Sequence, residues 1–469
     1  MRKIFILLLT IIAIEKTFGQ SLIPQIDQRA EIMSIVFRLA DNSEYNNDNA
    51  SKYVADIHSH FDRFKSDSLI SFAKSLHEKY GVSYDAVMSM AVNLKYRERT
   101  FTLKEGWIQS LDKRWTKESA THFVYLLNTF YIKSKAEQFF EDEKPYYNKI
   151  LNTFNEVLSN FNQSWYYQFY GLKPKEKFNI IIDCSNGGEN YGERTNSPKE
   201  GKQIYAIMGS WTFDKEGNPV FKKNDYLPTL IHEFNHSFIN PLLDKYKTNK
   251  ILETSATKLL DAMKTEMANQ SYKDWQTLIN ESLVRASVVR YLLANDSTNQ
   301  QAKQEVITQI NTGFLWMKEL VALLDIYEKN RIKYKTFNDF YPQIITFFQL
   351  TANNIAIIKA DYENELPKVV SIEPFENNSQ NVDTSIKVMT INFNQPMNEK
   401  HHSFNYGQPG KDGFPISDII GYTNNNKSFK IKMDLKPDTE YEMIITGYNF
   451  KNLEGYPLQE YTVRFKTKK

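Results

Sequence analysis

Apolar positions from about residue 20 to 359 recur mostly at helical spacing, and from Pro367 onward they change to short runs that alternate every second residue. The first pattern predicts helices over 122–131 and 146–161 and a long helix over 304–328, with their aromatics as core. Between them it predicts strands at 177–183 and 203–208, and a short one at 220–221 after the turn Asp214-Lys215-Glu216-Gly217. The stretch 184–201 holds Gly187, Gly188 and Gly192 and few apolar residues, which reads as a surface loop or a flap. In the second pattern, runs at 368–372, 386–393, 429–435, 441–448 and 461–466 are divided by clusters of Asn, Gly, Pro and Asp, as in a β-sandwich. The expected class is α+β: a mainly helical domain with a small β-sheet over 20–362, then an all-β sandwich over 366–469.

One helical segment carries chemistry. Leu227, Leu230, Ile231, Phe234 and Phe238 form an apolar stripe, Asn224 or Asp225 can cap the helix, Pro228 suits a first turn, and Pro241 is expected to end or kink it. On its other edge His232 and His236 are four apart, about 40° round the axis and one turn along it, so both imidazoles can meet one metal ion. Glu233 then sits where a carboxylate can reach a metal-bound water as general base. Catalytic zinc usually takes three protein ligands. Leu242 occupies the place six residues after the motif where a third histidine could stand, which leaves Glu281, Glu253 and Glu266 as candidates for the third ligand.

Asn280-Glu281 opens an amphipathic segment in which Leu283, Val284, Val288, Tyr291 and Leu292 recur at helical spacing. A His-Glu-x-x-His helix followed by a second helix opening Asn-Glu resembles the gluzincin metallopeptidases. The resemblance implies a zincin-like domain with its active-site core at about 177–300, Zn2+ held by His232, His236 and Glu281, and Glu233 as base. Two features depart from it: the gap from His236 to Glu281 is longer than in the compact thermolysin-like members, and Arg285 stands where those carry an acidic supporting residue. Arg285, one turn from Glu281, is the first candidate for a catalytic donor to the developing oxyanion, with a structural ion pair to Glu281 as its other role; Arg290, Tyr205 and Tyr291 are chemically able as well. In gluzincin-like folds the strand before the zinc helix runs along the cleft, so the backbone of 204–208 is expected to pair with an extended peptide. Residues 53–350, including His-Glu-Phe-Asn-His-Ser-Phe-Ile-Asn-Pro and Glu-Ser-Leu-Val-Arg-Ala, also resemble a family of secreted bacterial proteins of unknown function regarded as candidate metallopeptidases. Pro374, the stretches 391–397 and 435–441, Gly455 and 465–467 resemble bacterial immunoglobulin-like modules, which implies a spacer, adhesion or ligand-binding unit.

With 469 residues, 41% hydrophobic and 14% aromatic, the chain can bury a large core in more than one domain. Residues 1–19 read as a secretory leader: a basic start, an apolar run at 4–14 too short to span a bilayer, a stop at Glu15 and Lys16, and cleavage before Gln20. Its loss takes the formal charge from +2 to about zero, which argues against nucleic acid as a partner. No cysteine follows the apolar run, so the expected location is secreted or periplasmic, without a lipid anchor or stable membrane insertion. Cys184 is the sole cysteine and reads as a small buried residue. His58-Ser59-His60 and His401-His402 read as packing or surface histidines, and the glycines at 187–192 lack a phosphate-binding spacing.

The expectation is a secreted zinc metallopeptidase acting on a peptide or protein. Two alternatives stand beside it: an adhesion or glycan-binding protein that meets the cell surface through its C-terminal domain, and a zinc hydrolase of a non-peptide amide.

Overall fold

Ile180, Ile181 and Ile182 are buried in succession, which a strand allows only when both of its faces are covered. They lie in a computed structural model that describes residues 22–159, 161–171 and 177–469; the expected leader at 1–19 falls outside these. The chain divides into two compact units, Met1–Phe238 and Ile239–Lys469.

In the first unit the order is β1 (Pro24–Ile26), α1 (Gln28–Leu39), α2 (Ser51–Phe61), α3 (Ser68–Tyr80), α4 (Asp85–Asn93), β2 (Leu94–Arg97), β3 (Thr100–Leu103), α5 (Lys117–Lys133), α6 (Ala136–Asp142), α7 (Lys144–Leu158) and α8 (Gln163–Tyr170). Then come β4 (Lys177–Ile182), β5 (Asn190–Ser197), β6 (Gly201–Met208) and α9 (Lys223–Tyr246), whose last residues belong to the second unit. β1, β4, β6 and β5 form one sheet in that order, the first three parallel and β5 antiparallel to β6.

Four local expectations are corrected here. The stretch 184–201 is not all loop, because β5 occupies 190–197; its buried Tyr191, Thr195 and Ser197 alternate with polar positions, a period-two pattern written largely in polar residues. β6 is bordered by β4 on one side and β5 on the other, so its backbone is already paired along both edges and the sheet ends at β5. No named strand occupies 220–221; the turn closes instead through a single bridge between Phe213 and Pro219, with Asp214 accepting from the amides of Glu216 and Asn218. α9 starts at Lys223 and runs past Pro241 to Tyr246, so Pro241 does not end it. Proline removes one backbone donor at a cost of about 3 kcal/mol, and burial of Ile239, Leu242 and Leu243 around it is of the size needed to offset that.

The second unit continues with α10 (Lys250–Ala262), α11 (Lys264–Asn269), α12 (Trp275–Asn295), α13 (Gln300–Asn311), α14 (Met317–Lys329) and α15 (Phe337–Glu365). The single helix expected over 304–328 is two helices, broken at Gly313. That residue has φ +107° and lies so close to Glu266 that an added Cβ would sit 2.7 Å from its side chain.

From Pro367 the chain is strands: β7 (Val369–Glu373), β8 (Val388–Phe393), β9 (Phe404–Tyr406), β10 (Ile416–Thr423), β11 (Ser428–Met433), β12 (Glu440–Ile445) and β13 (Tyr461–Lys466). They form one sheet in the order β10-β11-β8-β7 and another in the order β13-β12-β9. Met389, Ile391, Phe429 and Ile431 of the first share a core with Met443, Ile445 and Val463 of the second, the expected sandwich. All five predicted runs are strands. β9 and β10 went unread, the first for its three residues and the second because, as an edge strand with register shifts, it buries neither face cleanly.

Candidate functional site

α9 packs by the predicted stripe: Leu227, Leu230, Ile231, Phe234 and Phe238 are all buried. Phe234 meets Phe178 of β4 edge-on at 4.7 Å, and Phe238 stacks on Tyr170 of α8 at 4.5 Å. Tyr170 donates to the Oδ1 of fully buried Asn235, which fixes the rotation of the helix about its axis. With that face committed, His232 and His236 remain half-buried on the neighbouring edge. Their Nε2 atoms are 3.1 Å apart, with the rings inclined at 81°. Two nitrogens each about 2.0–2.1 Å from a tetrahedral zinc would be about 3.3 Å apart, so this spacing fits a shared ion.

Glu233 is 7% exposed, and β5 sets its place. A Cβ on Gly192 would lie 2.8 Å from the Glu233 carbonyl oxygen and 3.0 Å from its Oε2, so the strand can approach this part of the helix only with glycine there. Gly192 is paired with Ala206, and Tyr205 and Glu193 are the next pair along. Successive side chains of a strand point to opposite faces, so Tyr205 lies on the face away from Glu233. On that face its hydroxyl accepts from Lys104 Nζ at 3.1 Å, and this placement away from Glu233 is what removes it as an oxyanion donor.

Glu281 lies on α12 and is also 7% exposed. Its Oε2 accepts from the Tyr272 hydroxyl at 3.0 Å and from Arg285 Nε at 3.1 Å. Arg285 further donates to Tyr272 Oη at 2.7 Å and to Gln309 Oε1 at 2.5 Å, and its guanidinium lies over the Phe314 ring. Every guanidinium nitrogen thus has a partner, and of the candidate site residues the one that Arg285 touches is Glu281. Arg290 pairs with Asp325 and Glu328, a structural role. Of the rival carboxylates, Glu253 pairs with Lys250 at 2.7 Å. Among the described residues the group of three or more side chains able to hold a metal ion is His232, His236 and Glu281, whose ligand atoms all lie within 4.8 Å of one another. Two imidazoles and one carboxylate are the donor set of a catalytic rather than a closed structural zinc site.

The other singled-out residues pack or lie at the surface. His58 meets Asp62, His60 meets the Ser134 carbonyl, His402 lies against Phe429, and Cys184 is buried as a thiol outside any disulfide. Gly192 and Tyr272 were not anticipated. Gly192 sits in an unread strand, and Tyr272, nine residues before Glu281 and outside α12, has no periodic relation to it.

The sequence profile of the family described as "Domain of unknown function (DUF4932)" matches residues 11–347, and that of the bacterial Ig-like domain matches residues 363–467. Comparison with curated proteins gives no match. Among solved structures, the surface layer protein SbsC, domains 1-6, is 15% identical and aligns over 53% of this chain and 37% of its own, with a TM-score of 0.18. The N-terminal part of the bacterial S-layer protein SbsC is 14% identical over 53% of this chain and 65% of its own, with a TM-score of 0.17. The alignments therefore cover less than two thirds of either solved chain, and likeness at these TM-scores carries no argument. No helix among the described residues is long and apolar enough to cross a membrane.

Proposed function

The chain belongs to the DUF4932 family and ends in a bacterial Ig-like domain, and from that premise we propose that it is a gluzincin-type zinc metallopeptidase. The observation that carries this reading is the convergence of ligand atoms from His232, His236 and Glu281. When bound, zinc supplies Lewis-acid polarisation of a carbonyl and lowers the pKa of a coordinated water toward about 7.

The chain's own residues supply the rest. His232 and His236 would hold the ion from one helix edge, and Glu281 would complete the set with a negative charge. Glu233, the residue after the first ligand, accepts the proton of the attacking water and returns it to the leaving amine. Its near-complete burial and the close backing of Gly192 keep the carboxylate in one position. β5, the terminal strand of its sheet, is suited to pair with an extended substrate, in place of the interior β6. The same reading assigns the enzyme to the secreted or periplasmic fraction, on the leader pattern at 1–19, and gives the Ig-like domain contact with a cell surface or glycan.

Zinc stoichiometry and peptide cleavage, measured on wild type, Glu233→Gln and Glu281→Ala, test it. Glu233→Gln is expected to keep its zinc and lose about 10²- to 10⁴-fold in kcat. Glu281→Ala is expected to lose the metal. Equal cleavage by wild type and Glu233→Gln would refute the assigned base.

A further inference from the structure

Glu281 is held by more than its own helix. Tyr272 lies in the link between α11 and α12, its amide donating to the Met267 carbonyl at 2.9 Å, and its hydroxyl reaches Glu281 Oε2. Arg285 reaches the same oxygen from one turn further along α12. Two donors from different backbone segments on one carboxylate oxygen fix its terminal torsion, which a single bond would leave free to swing.

The two donors also hold each other. Arg285 donates to Tyr272 Oη, and its remaining nitrogen is tied to Gln309 on α13, whose amide donates to Glu305 Oε1 at 2.6 Å. The guanidinium lies over the Phe314 ring, its carbon 4.9 Å from the centroid, just after the Gly313 break that brings Phe314 round. The Arg285 side chain is 15% exposed and that of Glu281 9%. A surface i,i+4 ion pair would need neither this burial nor a tyrosine from outside the helix.

We infer that Tyr272 is a positioning residue, which together with Arg285 and Gln309 locks the Glu281 carboxylate in the orientation that receives the metal ion. This rests on the zinc-ligand reading of Glu281 and adds to it that metal affinity is set partly by residues on α13 and in the α11–α12 link. Arg285 accordingly acts through Glu281 and not on substrate. Partners of this kind, hydrogen-bonded to a metal-ligating carboxylate, typically change metal affinity by about 10- to 100-fold when removed.

The test is zinc affinity of the full-length protein, by competition with a chromogenic chelator, together with the melting temperature of the metal-free form. Tyr272→Phe removes one oxygen and is expected to weaken zinc binding about 10- to 100-fold, with the metal-free melting temperature unchanged. A merely structural tyrosine would move the melting temperature and leave the affinity alone. If Glu281→Ala loses zinc while Tyr272→Phe binds it like wild type, the inference is overturned and the ligand assignment stands. If Glu281→Ala binds zinc like wild type, the ligand assignment falls, and the inference with it. Should Tyr272→Phe destabilise the metal-free fold, Arg285→Lys is measured in its place, since it keeps the charge and withdraws the bonds to Tyr272 and Gln309; unchanged affinity there also overturns the inference.

Discussion

Gly192 shows how little a single residue need contribute chemically to shape a site. It has no side chain, yet an added methyl would meet both the backbone and the carboxylate of Glu233 at 3.0 Å or less. Glu233 O is backbone, so it cannot swing aside, and the helix or the strand must move. On the proposed function, Gly192→Ala is therefore expected to cut kcat by about 10- to 100-fold, through displacement of Glu233, while zinc stoichiometry stays at the wild-type value. Parallel metal analysis and steady-state kinetics check this; loss of zinc together with activity would mean that the strand supports the histidines instead. The two histidines and Glu233 were legible from spacing alone, because helical geometry converts a four-residue interval into a shared edge. Gly192 was not, since its meaning depends on a helix that begins some thirty residues later.

Between elements, α1 is tied to the end of β4 by a pair of fully buried carboxylates. Glu31 of α1 accepts from the amide of Cys184 at 2.6 Å, from the Tyr53 hydroxyl at 2.8 Å and from Ser185 Oγ at 3.0 Å; Tyr53 in turn meets Tyr147. Asp183 accepts from Ser34 Oγ at 2.6 Å and from the amide of Ser185. Burial raises the pKa of both acids, and for Glu31 the neighbouring Asp183 raises it further. A carboxyl whose folded pKa is raised keeps its proton where the unfolded chain has already lost it, so its contribution to stability is complete below about pH 4 and is lost as pH rises through the folded value. Glu31→Gln imitates the protonated form. Thermal unfolding between about pH 4.5 and 8 is expected to show a falling melting temperature for wild type and a flatter one for the variant. Parallel slopes would show that the pair is not the source.

The same scale explains what the apolar pattern missed. α13 and α14 read as one helix because their apolar spacing continues across 312–316, and only the close approach of Glu266 to Gly313 shows why the chain turns there. α9 outlasts Pro241 for the converse reason: local propensity favours a stop, and the buried residues on either side outweigh it.

At the scale of the whole molecule, the Ig-like domain has a core of its own. Phe450 is fully buried among Phe393, Phe404 and Phe429, with ring centroids 5.2–5.8 Å away. Phe450→Ala is expected to destabilise this domain by about 3–5 kcal/mol while leaving zinc stoichiometry unchanged. Calorimetry of the full chain with metal analysis checks this: an early transition with retained zinc is the expected result, and loss of zinc would mean that the domain supports the site.

The amino-acid order by itself determined whatever depends on intervals within one element: the paired histidines on one helix edge with Glu233 beside them, the stripe that buries α9, and the alternating runs of the C-terminal sandwich. Such features follow from fixed helical and strand periods, so residue spacing carries them directly. Tertiary structure decided that Glu281 is the carboxylate beside the two histidines, the face to which Tyr205 points, and the bond that Tyr272 brings to Glu281 from outside its helix. These depend on which segments meet in space, and no local period encodes a meeting between residues on different elements.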